Sequence, residues 1–217
     1  MKPGRKGVTF GMHMTLHRSA LSGALALLVI SLILPPAASG ASPSVADLPG
    51  GHYVLDKKHA SVIAKVMHMG VSYYTVRFDT FDASFDYDPS RPDAARVQAS
   101  VQTGSLDVNA DYSQKFAEDF LSASKFPTIT FVSRQVTPGT GNTGTMTGDL
   151  TLLGVTKPAT FDVTFVGTGH ELLNPLGRTA GFSAVTTIKR SDFGSTYLDN
   201  VVGDEVTIQI EGEFDRR

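Results

Sequence analysis

Short segments in which apolar and polar residues alternate run along most of the chain after residue 52. Between residues 81 and 87, aromatic residues or alanine occupy every second position, with Asp or Ser at the positions between them. A period of two places successive side chains on opposite faces of a β-strand, so each segment predicts a strand with one apolar and one polar face. Nine strands are predicted on this basis, at 52–56, 60–68, 74–87, 96–103, 128–136, 145–153, 159–167, 179–189 and 205–214.

Turn-forming residues separate the predicted strands. Pairs such as Asp88-Pro89, Pro138-Gly139 and Asn174-Pro175 are typical of tight turns. Many short strands at spacings of about ten residues predict an all-β fold, in which antiparallel strands either stack as two sheets or close into a barrel.

One segment has helical spacing instead. Phe116, Ala117, Phe120 and Leu121 recur at intervals of three and four, which predicts a helix over 111–124 that ends before a proline. Two interpretations are open. The helix caps one end of a barrel with its phenylalanines in the core, or it is a lid whose Phe116 and Phe120 contact a ligand.

The apolar faces of the predicted strands define an interior. The chain has 13 Phe and no Trp, so this lining is rich in single aromatic rings. An eight-stranded barrel is just wide enough either to fill with side chains or to hold one small ligand. The pattern leaves both outcomes open for the predicted inward set, which is Phe81, Phe85, Val97, Val101, Ile129, Phe131, Met146, Leu150, Phe161, Phe165, Phe182 and Ile210.

The first forty residues have the composition of a secretory signal peptide. Four basic residues and no acidic ones precede or flank an apolar run over Leu21–Leu34, and small residues follow at 38–41. The run is shorter than the roughly 20 residues that a membrane-spanning helix needs. We therefore predict a signal peptide at 1–40, a flexible lead-in at 41–51 and a single domain at 52–217, in a protein that is periplasmic or secreted.

Composition narrows the possible functions. The chain has no cysteine, which excludes thiol nucleophiles and zinc–thiolate sites. Removal of the four basic leader residues leaves 15 Lys and Arg against 21 Asp and Glu. A mildly acidic domain of this kind is a poor nucleic-acid binder, because neutralising phosphates supplies most of such affinity.

Residues that carry chemistry are sparse. His59 and His68 are nine positions apart, which places them on opposite faces of a straight strand and argues against a metal pair. Ser191, Asp192 and Ser195 have no histidine nearby and no nucleophile-elbow motif. We predict no catalytic residues, no metal and no cofactor.

A series of short motifs follows in a fixed order along residues 52–214. The longest is Gly148-Asp-Leu-Thr-Leu-Leu-Gly-Val-Thr-Lys-Pro158. The others are Tyr53-Val-Leu-Asp56, His59-Ala-Ser61, Val66-Met-His68-Met-Gly70, Phe78-x-x-Phe81, Phe85-x-Tyr-Asp88, Ser105-Leu-Asp107, Asp119-Phe-Leu121, Lys125-Phe-Pro127, Thr130-Phe-Val-Ser133, Gly181-Phe-Ser-Ala184, Arg190-Ser-Asp-Phe-Gly194 and Val201-Val-Gly-Asp-Glu-Val206. The ordered set is specific, and by it the chain resembles the YceI-like family of exported lipid-binding proteins.

The resemblance implies an antiparallel, eight-stranded, lipocalin-like β-barrel with a short capping helix. It also implies a non-catalytic carrier whose partner is a long-chain isoprenoid or another fatty amphiphile, in a protein that is commonly a homodimer. In this sequence the family's Arg-Asp-x-His-Leu run is replaced at 111–118, and Lys115 stands near the place of its histidine.

Ten residues are predicted to bind the ligand: His68, Phe81, Phe85, Phe116, Phe120, Leu121, Phe131, Met146, Phe182 and Arg190. His68 and Arg190 end strands and therefore belong near the rim, where a cation suits an anionic headgroup. Alternatively, Arg190 pairs with Asp192 or Asp199 and fixes the loop that follows it.

Two other functions remain open at this point. The barrel interior can be filled, which would make the protein an envelope-stress or protein-interaction module that binds no lipid. An enzyme acting on lipids is the third candidate, although no catalytic set supports it.

The predicted leader has a direct test. Because the apolar run ends before the small residues at 38–41, the exported protein should begin at about Ala41 or Ser42. N-terminal sequencing of the exported protein measures this. Recovery of exported material that still contains Leu25 would contradict it.

Overall fold

Antiparallel strands make up most of the protein, shown here by a computed structural model that describes residues 42–108, 111–171 and 174–217. The predicted signal peptide lies outside these residues. A single α-helix within the described residues, α1, spans Ser113–Leu121. The strands are β1 (Gly51–His68), β2 (Ser72–Phe78), β3 (Phe81–Tyr87), β4 (Arg96–Gln102), β5 (Leu106–Asp107), β6 (Thr128–Pro138), β7 (Thr143–Leu152), β8 (Val155–Glu171), β9 (Asn174–Lys189) and β10 (Val202–Arg216).

The strands close into one antiparallel barrel. From β6 to β10 each strand pairs with the next, and β10 pairs with β1. On its other side β1 pairs with β3 along its first part and with β2 along its last part. Since β4 continues the ring from β3, and β5 from β2, these four short strands occupy two positions. The ring therefore has eight positions, which confirms the predicted eight-stranded barrel.

Most strands extend a few residues beyond their predicted ends, β5 was not predicted, and two predicted segments are divided differently in the structure. The segments 52–56 and 60–68 form one continuous strand, because a bulge between Asp56 and Ala60 absorbs the polar residues that interrupt the pattern. The segment 74–87 is split at Asp79 and Thr80, whose backbone N–H groups donate to Ser105 rather than to a strand partner. This break separates β2 from β3.

One end of the barrel is filled with aromatic rings. We call Tyr53, Phe85, Phe165, Phe182 and Phe214 the aromatic plug. Tyr53 and Phe85 stack with ring centroids 4.6 Å apart, and Phe85 meets Phe214 edge-on at 5.2 Å. Offset-stacked and edge-to-face pairs are the favourable geometries for such rings. These five side chains form a continuous core with Leu55, Ala180 and Leu48.

Specific contacts hold residues 42–50, which belong to the segment predicted as a flexible lead-in, against this end. Leu48 is only 2 % exposed and packs in the core of the plug. The hydroxyl of Tyr53 donates to the carbonyl of Pro49 at 2.8 Å. Farther back, the backbones of Ser42 and Thr168 exchange two hydrogen bonds. The barrel is thus covered at its filled end by the chain that leads into β1.

The helix α1 is shorter than the predicted 111–124. It ends at Leu121 because Ser122 adopts a left-handed conformation (φ 46°), and the backbone of Phe126 then donates to the Ser122 carbonyl. Ala117 is completely buried against Val62 and neighbouring apolar residues of the barrel. None of the helices in the described residues is long and apolar enough to span a membrane.

The predicted inward face is confirmed for all twelve residues. Each of them lies in, or packs directly against, one of three buried apolar clusters inside the barrel. The positions between them point outward, and Val132, Val166 and Val185 are exposed there. The alternation of residue types therefore assigned the two faces of the strands correctly.

The aromatic plug should be the main source of stability at the filled end. We expect Phe85→Ala to lower the free energy of unfolding by about 3–5 kcal/mol, because it removes the ring that contacts Tyr53, Phe182 and Phe214 and leaves a cavity. Val132→Ala, on the outer face, should change it by less than about 0.5 kcal/mol. Urea unfolding of the two variants measures the difference, and equal effects would contradict this account of the core.

Candidate functional site

The other half of the barrel contains a cavity of about 590 Å³. Its walls continue the inward faces of the strands: every second residue of β1 from Val62 to His68 lines it, as does every second residue of β10 from Val206 to Ile210. These positions carry mostly valine, isoleucine and alanine, which are smaller than the rings of the aromatic plug. Phe131 and Phe161, with ring centroids 5.0 Å apart, also line it.

The helix α1 and the segment after β9 form the mouth of this cavity. Phe116, Phe120 and Leu121 of α1 line it. Ring contacts continue around the opening, from Tyr74 to Phe116 at 6.1 Å, from Phe116 to Phe120 at 5.3 Å and from Phe120 to Tyr197 at 5.1 Å. The helix therefore both caps the barrel and contributes side chains to the cavity, which combines the two interpretations drawn from the sequence.

Few polar side chains line the cavity, and several of them contact other residues of its mouth. Lys115 forms an ion pair with Asp119 at 2.6 Å, one turn along α1. The hydrogen bond to Asp119, together with its charge, raises the pKa of Lys115. Ser195 donates its hydroxyl to the carbonyl of Phe120 at 2.9 Å and so attaches the mouth segment to the helix. His68 faces the cavity next to Tyr74, with ring centroids 6.1 Å apart.

Arg190 is buried at the edge of the cavity and is 6 % exposed. Its guanidinium donates to four backbone carbonyls at 2.9–3.0 Å, those of Ser195, Tyr197, Val202 and Gly203. The carboxylates suggested from the sequence, Asp192 and Asp199, are not its partners. Arg190 thus fixes the mouth segment, as the alternative reading proposed, but through backbone carbonyls.

The ten predicted binding residues divide into two groups. Six line the cavity, and they are His68, Phe116, Phe120, Leu121, Phe131 and Arg190. The other four lie outside its lining. Phe85 and Phe182 belong to the aromatic plug, Phe81 packs between that plug and the cluster around Val62, and Met146 packs with Phe131 and Phe161. The period of two predicts which face a side chain is on, but not its depth in the barrel.

Several cavity residues were not predicted. Tyr74 is on the inward face of β2, and burial together with a hydrogen bond that its hydroxyl donates to Tyr112 raises its pKa. Tyr197, Leu198 and Val201 come from the irregular segment between β9 and β10. The alternation at Tyr74 was a usable signal, whereas no periodic pattern identifies residues of an irregular segment.

The residues considered for catalysis or metal binding are not brought together. His59 lies outside the barrel and forms a hydrogen bond with Asp56 at 2.7 Å, whereas His68 is inside. Ser191 donates its hydroxyl to Asp204 at 2.8 Å. Among the described residues, no three His, Asp or Glu side chains are placed to hold a metal ion.

The sequence comparisons agree with this architecture. A family model described as the YceI-like domain matches residues 53–214. A UPF0312 protein of Pseudomonas putida strain F1 is 39% identical over 155 residues, covering 70% of this chain and 80% of its own. A UPF0312 protein of Vibrio cholerae is 40% identical over 157 residues, covering 68% and 82%.

Solved structures with the same fold include three from different bacteria. BcnA of Burkholderia cenocepacia superposes with a TM-score of 0.64 at 29% identity, covering 73% of this chain and 98% of its own. The YCEI protein of Campylobacter jejuni gives 0.61 at 25% identity, covering 70% and 90%. A polyisoprenoid binding domain of Saccharophagus degradans gives 0.56 at 13% identity, covering 78% and 100%, which shows likeness of fold alone.

The anchoring role of Arg190 can be measured as stability. Arg190→Met leaves four backbone carbonyls without their charged donor, so we expect the free energy of unfolding to fall by about 3 kcal/mol or more. Arg134→Met, which removes an exposed ion pair with Asp149, should cost less than about 1 kcal/mol. Urea unfolding compares the two. A loss for Arg190→Met no larger than that for Arg134→Met would rule out the anchoring role.

Proposed function

The chain belongs to the YceI-like family, and we propose that it is an exported, non-catalytic carrier that holds the apolar chain of an isoprenoid or another amphiphilic lipid inside its barrel. The observation that carries this proposal is the cavity of about 590 Å³ with walls made mainly of aliphatic and aromatic side chains. Its volume is in the range of small-molecule binding pockets, about 300–1,000 Å³.

The walls suit a flexible apolar chain. Burial of apolar surface contributes about 25 cal/mol per Å² before ordering costs are subtracted, so a chain binds without directional contacts. The aromatic plug blocks the far end of the barrel, and the polar side chains Lys115, Asp119 and His68 lie on the mouth side. A lipid therefore enters with its chain directed at the plug and its polar head at the mouth.

One of the solved structures supports the proposal through its fold. The Saccharophagus degradans domain is described as polyisoprenoid-binding, and it shares this barrel architecture. At its level of identity the likeness concerns the fold, so the cavity of this chain is the stronger argument. Export follows from the predicted leader at 1–40, and the periplasm or the exterior is then the place where the carrier works.

An entirely filled barrel is the less favoured alternative. Half of the interior is indeed filled by the aromatic plug, as that alternative requires. Native interiors are otherwise close-packed, with few voids larger than a water molecule. An apolar space of this size next to the plug is more readily explained by a ligand.

Extraction of the purified protein with organic solvent, followed by mass spectrometry, tests the carrier function. We expect an amphiphile with a long apolar chain in amounts close to one molecule per chain. Folded protein that yields no such compound, and that takes up none when offered isoprenoid or fatty amphiphiles, would contradict the proposal.

A matched pair of substitutions tests the location of the lipid. Ala99 and Ala184 both pack against the buried cluster around Phe161, but only Ala99 also lines the cavity. We expect Ala99→Phe to abolish most of the lipid content at a smaller cost in stability than Ala184→Phe, because its ring occupies the cavity. Ala184→Phe should instead lower the free energy of unfolding by about 1–3 kcal/mol through overpacking. Mass spectrometry and urea unfolding measure both effects, and unchanged lipid content in folded Ala99→Phe would contradict an internal site.

A further inference from the structure

Exposed apolar side chains are concentrated at the mouth of the cavity. Of the ten large apolar side chains that are exposed among the described residues, three line this opening and three more lie between the cavity-lining residues His68 and Tyr74, at the turn between β1 and β2. We call them the mouth rim, and they are Met69, Val71, Tyr73, Tyr112, Tyr197 and Leu198. Val71 is 84 % exposed and Tyr73 is 68 % exposed, although adjacent positions such as Tyr74 turn inward.

The mouth rim is continuous. The backbone N–H of Met69 donates to the carbonyl of Val201 at 2.8 Å, which joins the turn between β1 and β2 to the segment that carries Leu198. The rings of Phe120 and Phe116 in turn connect Tyr197 with Tyr112, through centroid distances of 5.1–5.3 Å. These contacts therefore join the rim residues of the β1–β2 turn, α1 and the segment after β9 into one connected set.

Two stretches of the rim are uncharged, because residues 66–76 and residues 193–198 contain no Asp, Glu, Lys or Arg. The charged residues next to rim positions in sequence are acidic, Asp111 beside Tyr112 and Asp199 beside Leu198. Lys115 and Asp119, which line the mouth, neutralise each other in an ion pair. Arg190 is buried and directed at backbone carbonyls. A partner of this surface is thus recognised by apolar contact and not by complementary charge.

The remaining exposed apolar residues form a natural contrast. They are Val132, Val155, Val166 and Val185; the first, third and fourth lie on the outer faces of strands, and Val155 is the first residue of β8, opposite Leu152. Val166 is 60 % exposed and follows Phe165 of the aromatic plug, so it marks the end of the barrel opposite the mouth. Single exposed valines of this kind are ordinary, whereas a connected set of exposed apolar residues beside an opening is not.

We propose that the mouth rim docks on the surface of a lipid bilayer, so that a lipid passes between the bilayer and the cavity without crossing water. This rests on the proposed function, because a lipid carrier must exchange its cargo with a membrane. Three of the six rim residues are tyrosines, whose apolar ring and polar hydroxyl suit the boundary between lipid and water. The rim and the cavity walls form one continuous apolar path, from Val71 and Tyr73 outside to Tyr74 and Val76 inside.

A tryptophan reporter tests the contact, since the chain contains no tryptophan of its own. Tyr73→Trp places the reporter on the rim, and Val166→Trp places it at the opposite end as a matched control. Neither residue lines the cavity. With unilamellar phosphatidylcholine vesicles, we expect the emission of Tyr73→Trp to shift to shorter wavelength and to be quenched by bromine-labelled lipid. The emission of Val166→Trp should not change.

A second substitution measures the strength of the contact. Adding Val71→Asp to Tyr73→Trp should lower the vesicle partition coefficient about tenfold. Moving a valine side chain from water into lipid contributes enough free energy for such a factor, and the substitution removes this contribution. Val71 is almost fully exposed, so the fold should be unaffected, which circular dichroism checks. Because the reporter is specific for position 73, membrane attachment through another segment does not produce the signal.

Three outcomes would overturn the docking proposal. They are an unchanged emission of Tyr73→Trp with vesicles, equal shifts at both reporter positions, and a shift that depends on protein concentration without vesicles, which would mean that two copies pair through the rim. Lipid extraction separates this proposal from the carrier function. Protein that contains lipid but never docks contradicts only the docking, and protein that docks but contains no lipid contradicts only the carrier function.

Discussion

The pairing of β1 with β10 is the contact on which the rest of the structure depends. The first and last strands of the barrel meet from Tyr53 opposite Arg216 to His68 opposite Val202, and this closes the sheet. A closed sheet has no unpaired edge, and it gives every inward side chain the same enclosed space to occupy. The interior exists only once the two ends of the domain have come together, so the cavity is a property of the whole barrel and not of any local motif.

Side-chain size then decides which half of that space is filled. On β1 and β10, the plug end carries Tyr53 and Phe214, whereas the mouth end carries small or aliphatic residues such as Ala64 and Ile208. Strand geometry is the same at both ends. Even the ring of Phe131 in the cavity wall is closely packed on one side, because a Cβ added at Gly148 would lie 2.5 Å from it. The same barrel is therefore a packed core at one end and a container at the other.

The sequence predicted the two faces of each strand much better than the position of a residue along the barrel. Alternation is local, so it identified all twelve inward residues. The position of a side chain along the barrel axis depends on the register between strands that are far apart in sequence. For this reason Phe85 and Phe182 were predicted to bind the ligand, whereas the structure places them in the aromatic plug. The partners of Arg190 could not be predicted from the sequence either, because they are backbone carbonyls of an irregular segment that follows no periodic pattern.

Hydrogen bonds made by Arg190 and Ser195 position the mouth of the apolar cavity. Apolar contacts have no preferred direction, so they do not by themselves fix where rings such as Phe116, Phe120 and Tyr197 lie around the opening. Burying the Arg190 charge is costly without full hydrogen bonding, and its four carbonyl partners therefore restrict the mouth segment to one path. Ser195 extends this restraint to the end of α1 through the carbonyl of Phe120. The hydrogen bonds of Arg190 and Ser195 thus fix the positions of the apolar residues around the mouth, and an opening that is already formed can receive an apolar chain without refolding.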